Sequence, residues 1–356
     1  MKSIFSPAMR ALAVCLVAVT PVAFAQGSYP DSNNKQDPYK TQQDKPQPKT
    51  PQVNEAEEKA LIKVRDAADP AAKLVAAEEF VKKYPKSTRR NEVLMHVAGE
   101  ISKMPDPAQQ IPLIEKSLTI FNQPGDADKL NTVLLDAYLK ANRIDDSFRV
   151  AATIVEKNPN DVIVLTHMSL LGTDQAKARN PKFVQVSQTY GAKAIELIEA
   201  NKMPASMDAA AWTQYKNQWL PPLYQSMGIL AFVSGNKADA KAKLEKAVGV
   251  SSTDPVTYML LGSLSNEEYQ QLAAKHKEMS AGPMKDQTLK DAHMKLDEVI
   301  DMFARAVALS EGNAQYQQLH DQVLADLTTY YKYRNSGKTD GLQALIDKYK
   351  KPASNQ

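Results

Sequence analysis

Cysteine is almost missing from this chain: Cys15 is its one thiol in 356 residues. That excludes a disulfide framework and cysteine-ligated metal centres, so packing alone must hold the fold. Glycine is also sparse, at 13 residues. None of the glycine-dependent signatures occurs: no Gly-Lys-Ser/Thr phosphate loop, no Gly-x-Ser-x-Gly elbow, and no Gly-x-Gly-x-x-Gly following a strand. Charge of one sign is not in excess, with 44 Lys and Arg against 41 Asp and Glu. A nucleic-acid partner, which calls for a basic face or stripe, is therefore not expected. The five histidines, His96, His167, His276, His293 and His320, fall in no metal-ligand spacing. His96 with Glu100 and His293 with Asp297 share helix faces, and ordinary i,i+4 pairing accounts for both. No metal, cofactor or catalytic residue is expected, and the chain reads as a non-enzyme.

Long apolar runs are missing too. The longest, residues 11–19, is about half the ~20 residues that a membrane span needs. Its setting gives it another meaning. Lys2 and Arg10 precede it, and Pro21 then leads to Ala23-Phe24-Ala25 before Gln26. This is the order of a secretion signal, with residues 1–25 removed after Ala25. A lipoprotein reading would use Cys15, but Val14 stands where that processing favours a small residue. The expectation is an exported protein, periplasmic or secreted. Loss of Lys2 and Arg10 would lower the formal charge from +3 to +1.

Residues 26–54 carry Pro30, Pro38, Pro46, Pro48 and Pro51 among Gln, Lys, Asp, Ser and Thr. Val53 is the only aliphatic side chain there, too little to offset ordering entropy. They read as a disordered Pro/Gln-rich stalk, or simply a spacer. Residues 351–356 read as a flexible tail.

From residue 55 to 350 the apolar spacing is helical throughout, with no sustained period-two alternation and so no β-sheet expected. Leu74, Ala77, Val81 and Tyr84 share a face; so do Phe148, Ala151, Ala152 and Val155. The same geometry recurs in Ala240, Leu244, Ala247 and Val248, and in Val299, Met302, Phe303, Ala306 and Val307. Asp69-Pro70, Asp106-Pro107 and Asp254-Pro255 each place a capping carboxylate before a proline suited to the first helical position. Roughly fourteen helices are expected, joined by the short loops of antiparallel neighbours.

A repeat runs through them. Pro85, Pro124, Pro159, Pro204 and Pro255 mark loop positions at unequal intervals, around and above the ~34 residues of an ideal tetratricopeptide repeat. In residues 224–252, Tyr224 and Gly228 lie on a first helix, Gly235-Asn236 makes the turn, and Ala240 and Ala247 are small packing positions on the second. This unit resembles a tetratricopeptide repeat. A second unit keeps Tyr138 on its first helix and Ser147 and Ala151 on its second. A third begins at Tyr258, Leu261 and Gly262 and closes with Phe303 and Ala306. The resemblance, spanning about half of the chain beyond the signal, implies a right-handed α-solenoid of antiparallel hairpins whose first helices line a concave groove for a protein or peptide segment.

Two stretches stand out. Trp212, Tyr215, Trp219 and Tyr224 include both tryptophans. The first three lie along one helix face, which suits either a core or a groove-lining anchor. Pro221-Pro222 would break that helix and splay the face. Between Leu261 and Phe303 the third unit is stretched into an extended hairpin at about 264–294, two helical arms of about 25 residues or ~38 Å each. Lys275, Lys277, Lys285 and Lys290 at its tip are partly balanced by Glu278, Asp286 and Asp291. It is a candidate surface for a homodimer. The functional expectation is an interaction scaffold or adaptor in a bacterial cell envelope. The rivals are a soluble glycan- or small-ligand-binding component of an uptake system, with the tryptophans as platform, and a helical hydrolase built on paired carboxylates.

Overall fold

The computed structural model describes residues 55–250 and 253–350. The expected signal (1–25), stalk (26–54) and tail (351–356) lie outside the described residues. Within them the chain forms fourteen α-helices, two short 3-10 turns and no strand. They fall into two compact units that divide between Pro159 and Asn160.

The first unit holds α1 (Glu55–Asp66), α2 (Pro70–Lys83), α3 (Arg90–Ser102), α4 (Pro107–Ile120), α5 (Asp126–Lys140) and α6 (Ile144–Lys157). Each helix packs on the next. In addition α1 meets α3, α2 meets α4 and α3 meets α5. Neighbours in sequence are thus neighbours in space, and alternate helices stack, as repeated hairpins require. The two Asp-Pro starts work as the sequence predicts. Asp69 accepts from the Ala72 amide at 2.8 Å and Asp106 from the Ala108 amide at 2.9 Å, each with proline at the first helical position.

Spacing decides which face is buried. Leu74, Ala77 and Phe80 on α2, Val93, Leu94, Val97 and Ile101 on α3, and Leu130, Leu134 and Tyr138 on α5 are all buried. One buried ion pair interrupts this core. Arg90, at the start of α3, reaches Asp126, at the start of α5, at 2.9 Å, and the Arg90 guanidinium also donates to the Ile120 carbonyl at 3.3 Å and lies 5.3 Å from the Phe121 ring centre. Asp126 in turn accepts from the Gln123 amide at 3.0 Å. This pair ties the starts of two first helices to the end of the α4 between them.

The second unit holds α7 (Val162–Lys177), α8 (Val184–Glu199), α9 (Ala209–Val233), α10 (Lys237–Gly249), α11 (Pro255–Glu278), α12 (Pro283–Ser310), α13 (Gln317–Arg334) and α14 (Leu342–Asp347). Again each of α7 to α12 packs on its successor; α7 also meets α9, α12 meets α13, and α14 folds back onto α12. Asp161, Asp208, Asn236 and Asp254 cap the starts of α7, α9, α10 and α11. At 24 and 28 residues, α11 and α12 are the longest pair, ~36 and ~42 Å of helix. They contain the stretch 264–294.

Small residues set how closely these helices approach. A methyl group on Gly228 would fall 2.6 Å from Leu244 Cγ of α10, and one on Gly262 would fall 2.5 Å from the Phe303 ring of α12. Ala240, Ala247 and Ala306 are fully buried on the opposing helices. Tyr138 is also buried, its hydroxyl donating to Glu115 of α4 at 2.6 Å.

One expectation fails. Pro221-Pro222 do not break the helix: α9 is continuous from Ala209 to Val233 with both prolines inside it. Each proline removes one i→i−4 donor, and the carbonyls deprived are those of Asn217 and Gln218. Both residues are exposed, so water can take the place of the lost donors. The remaining turns are held by burial on almost every side from Leu223 to Ala231.

Candidate interaction site on helix α9

Two faces of α9 have different chemistry. On the inner face Trp212 and Tyr215 stack with ring centres 5.6 Å apart and planes 13° apart, and both are buried. Their polar atoms are satisfied. Trp212 Nε1 donates to Asn201 Oδ1 at 2.9 Å, while the Tyr215 hydroxyl lies 3.1 Å from the Val162 carbonyl and 2.9 Å from Thr166 Oγ1. Burial pushes the Tyr215 phenol well above its ordinary range. Tyr224 is likewise buried and bonded to Glu199, and burial followed by that carboxylate raises its phenol. Trp219 differs from the other three. It is only partly buried, edge-on to His167 at 5.5 Å and tilted against Tyr215 at 6.2 Å. Of the four aromatic candidates, Trp219 alone is not fully buried.

The outer face carries Ala210, Thr213, Gln214, Asn217 and Gln218, at helical spacings of three and four. These five line an open concavity of about 740 Å³. No charged side chain is among them. Between Asp208 and Lys237 the chain has a single charge, Lys216, whose ammonium is turned to Asn201 Oδ1 at 2.8 Å. In a chain of which 24% is charged, this exposed helix face carries no charge. The concavity is lined by neither tryptophan.

Elsewhere the sequence candidates separate. Glu100 is taken by Lys103 at 2.8 Å, which first of all holds its carboxyl below the usual range, with His96 a lesser influence. Asp297 belongs to Arg334, also at 2.8 Å. Neither makes a histidine–carboxylate pair. Among the described residues no three His, Asp or Glu side chains converge as a metal cage would require.

Three features of the interior escaped the sequence reading. Ser169, Thr173 and Ser226 form a buried hydroxyl cluster between α7 and α9, for which serine and threonine give no sequence signal. The Arg90–Asp126 pair joins residues 36 apart, with no motif to announce it. Asp326 is legible in retrospect: Val323, Leu327 and Tyr330 mark the buried face of α13, and Asp326 falls on it.

No family model matches the chain, and no curated protein matches it. Among solved structures it is similar to a tetratricopeptide repeat protein from Parabacteroides merdae, at 12% identity and a TM-score of 0.37, over 83% of this chain and 98% of that one. The description of this chain as an all-α array of tetratricopeptide-like hairpins rests on its own helix pairing and on the close approaches at Gly228 and Gly262.

Proposed function

We propose that this chain is an exported, non-enzymatic interaction scaffold of a bacterial cell envelope, cleaved after Ala25, and that it docks a partner polypeptide on the uncharged outer face of α9. The observation that carries this is the exposed, charge-free stripe Ala210, Thr213, Gln214, Asn217 and Gln218. Amide and hydroxyl side chains offer donors and acceptors together, and a neutral surface costs little to desolvate. Stacked hairpins supply a rigid support for such a face. The rival hydrolase needs two carboxylates converging with raised pKa values; the one raised carboxyl among the described residues, Asp326, has no second acid paired with it.

Capture of envelope and secreted proteins by the full chain tests the reading, with Asn217→Glu/Gln218→Glu and Thr213→Glu/Gln214→Glu run beside it. A partner held by wild type and lost from both variants, with helicity unchanged, supports it. A partner retained by both overturns the α9 assignment.

A second copy of the chain, meeting through the 264–294 hairpin, is a further reading. It is favoured by Met284 and Met294 on α12, which are 74% and 57% exposed. A cysteine placed at Met284, in a chain carrying Cys15→Ser, would crosslink copies if so; recovery of uncrosslinked monomer alone would reject it.

A further inference from the structure

Among the carboxylates of the second unit, Asp326 stands apart. It lies on the buried face of α13, 7% exposed, between Val323 and Leu327. Its Oδ2 is buried and receives no hydrogen bond. No ion pair reaches it among the described residues. From α12, the charged groups near α13 are already engaged: Asp297 with Arg334 at 2.8 Å, and Asp301 with Arg305 at 3.0 Å and with Tyr349. From α11, Asn266 and Gln270 turn their amides toward Tyr330, and Tyr269 meets Tyr333. On α13 itself, His320 is bound to Ser310 at 3.1 Å and Asp321 to Gln317 at 2.9 Å. Tyr330, one turn after Asp326, is a titratable group within reach of its charge and packs on Phe303 of α12 at 6.2 Å. None of these groups forms an ion pair with Asp326 or a hydrogen bond to its Oδ2, so none compensates a charge there.

We propose that Asp326 is an acid-strengthened latch: neutral, it seats α13 against the long α11–α12 hairpin, and ionised, it loosens that seat. An uncompensated carboxylate in such a place must either neutralise or pull water in. Burial pushes its carboxyl up to about 6, from an ordinary value of 3.8. The raised value sets the sign. Folding favours the protonated form, so the seat is firmest below the unfolded value near 4 and is lost as pH rises through 6. Linkage between those two values gives an opening equilibrium about tenfold larger at pH 7.5 than at pH 5. Release of α13 would uncover the side of Phe303 that Tyr330 covers in the closed arrangement. The latch thus joins mild changes in acidity to exposure of a buried ring.

Amide hydrogen exchange of the full chain at pH 5 and pH 7.5, corrected for the intrinsic pH dependence of exchange, reads the opening of α13 directly. Wild type should show about a tenfold excess acceleration across α13, and Asp326→Asn should show none, with exchange in α7 to α10 alike in both proteins. The same excess in Asp326→Asn, or none in wild type, would overturn the latch. Should Asp326→Asn fail to fold, the side-chain carboxyl of wild type can be followed by carbon NMR. A midpoint near 6 supports the proposal and one near 4 overturns it.

Discussion

Adding a single methyl group to either of two helical glycines should shift stability in opposite directions. On α11, an alanine at Gly262 would put its Cβ 2.5 Å from Cδ1 and Cε1 of Phe303 and 3.3 Å from Met302 Cβ. Phe303 cannot step aside, because it is 1% exposed and already packed against Tyr330. Alanine recovers about 1 kcal/mol of helix propensity. Against that, forcing a ring off its rotamer and prising apart two long helices costs about 2–3 kcal/mol. The net expectation for Gly262→Ala is a loss of about 1–2 kcal/mol. Gly99 on α3 has nothing within 4 Å of the position a Cβ would take, so Gly99→Ala keeps the propensity gain of up to ~1 kcal/mol. Since the chain has two units, one global unfolding energy is not the right measure. Amide exchange confined to α11 and α12, and to α3, reports each change where it acts. Shaving the ring with Phe303→Leu in the Gly262→Ala background should recover more than it costs alone, giving a favourable coupling of at least about 1 kcal/mol. A stabilised Gly262→Ala, or no coupling to Phe303, would refute the claim that this glycine sets the distance between the two arms.

Two further outcomes follow from buried polar chemistry and backbone chemistry. Asp126→Ala strands the Arg90 guanidinium, 7% exposed in its side chain, and should cost about 3–5 kcal/mol, while Arg90→Met with Asp126→Leu should restore most of it. Exchange rates in α3 and α5 read both, and a double variant no better than the single would mean that hydrogen bonds to Ile120 and Gln123 matter more than the stranded charge. Pro222→Ala gives Gln218 its missing intrahelical donor and should stabilise α9 by about 1–2 kcal/mol, after allowing for the freer unfolded chain. Slower exchange across residues 215–225 would show it; faster exchange would mean that the prolines are needed to hold Leu223 and Tyr224 in the core.

The reliable parts of the sequence were those where one local rule faces no rival. Asp-Pro pairs start helices at Pro70, Pro107 and Pro255 because a short acceptor and a residue without an N–H both suit a first turn. The apolar spacings of α10 and α12 identify buried faces because amphipathic helices have one way to hide them, whereas on α6 the face expected through Ala152 and Val155 is turned: Ala152 is exposed and Ile154 is buried instead. Gly228 and Gly262 could be placed on closely packed first helices, but not assigned the side chains they touch, since Leu244 and Phe303 are met across hairpins.

The candidate site was legible only in outline, and Pro221-Pro222 shows why. A proline pair reads as a helix breaker when its local cost is weighed alone, about 3 kcal/mol for an interior proline. In α9 the following turns from Leu223 to Ala231 are buried on almost every side, and at about 1.5–3 kcal/mol for each large apolar side chain their burial outweighs a local penalty of that size. The helix therefore runs on, and the aromatic face is kept whole. Trp212 and Tyr215 are drawn inward, where Asn201, Val162 and Thr166 satisfy their polar atoms. Periodicity assigns those rings to one face but gives no sign of whether another helix covers it; that depends on α7 and α8, whose packing is a tertiary fact. The same reasoning moves attention to the opposite face, where Thr213, Gln214, Asn217 and Gln218 remain uncovered and uncharged. The docking face proposed there was hidden in the sequence by having no aromatic, no charge and no motif.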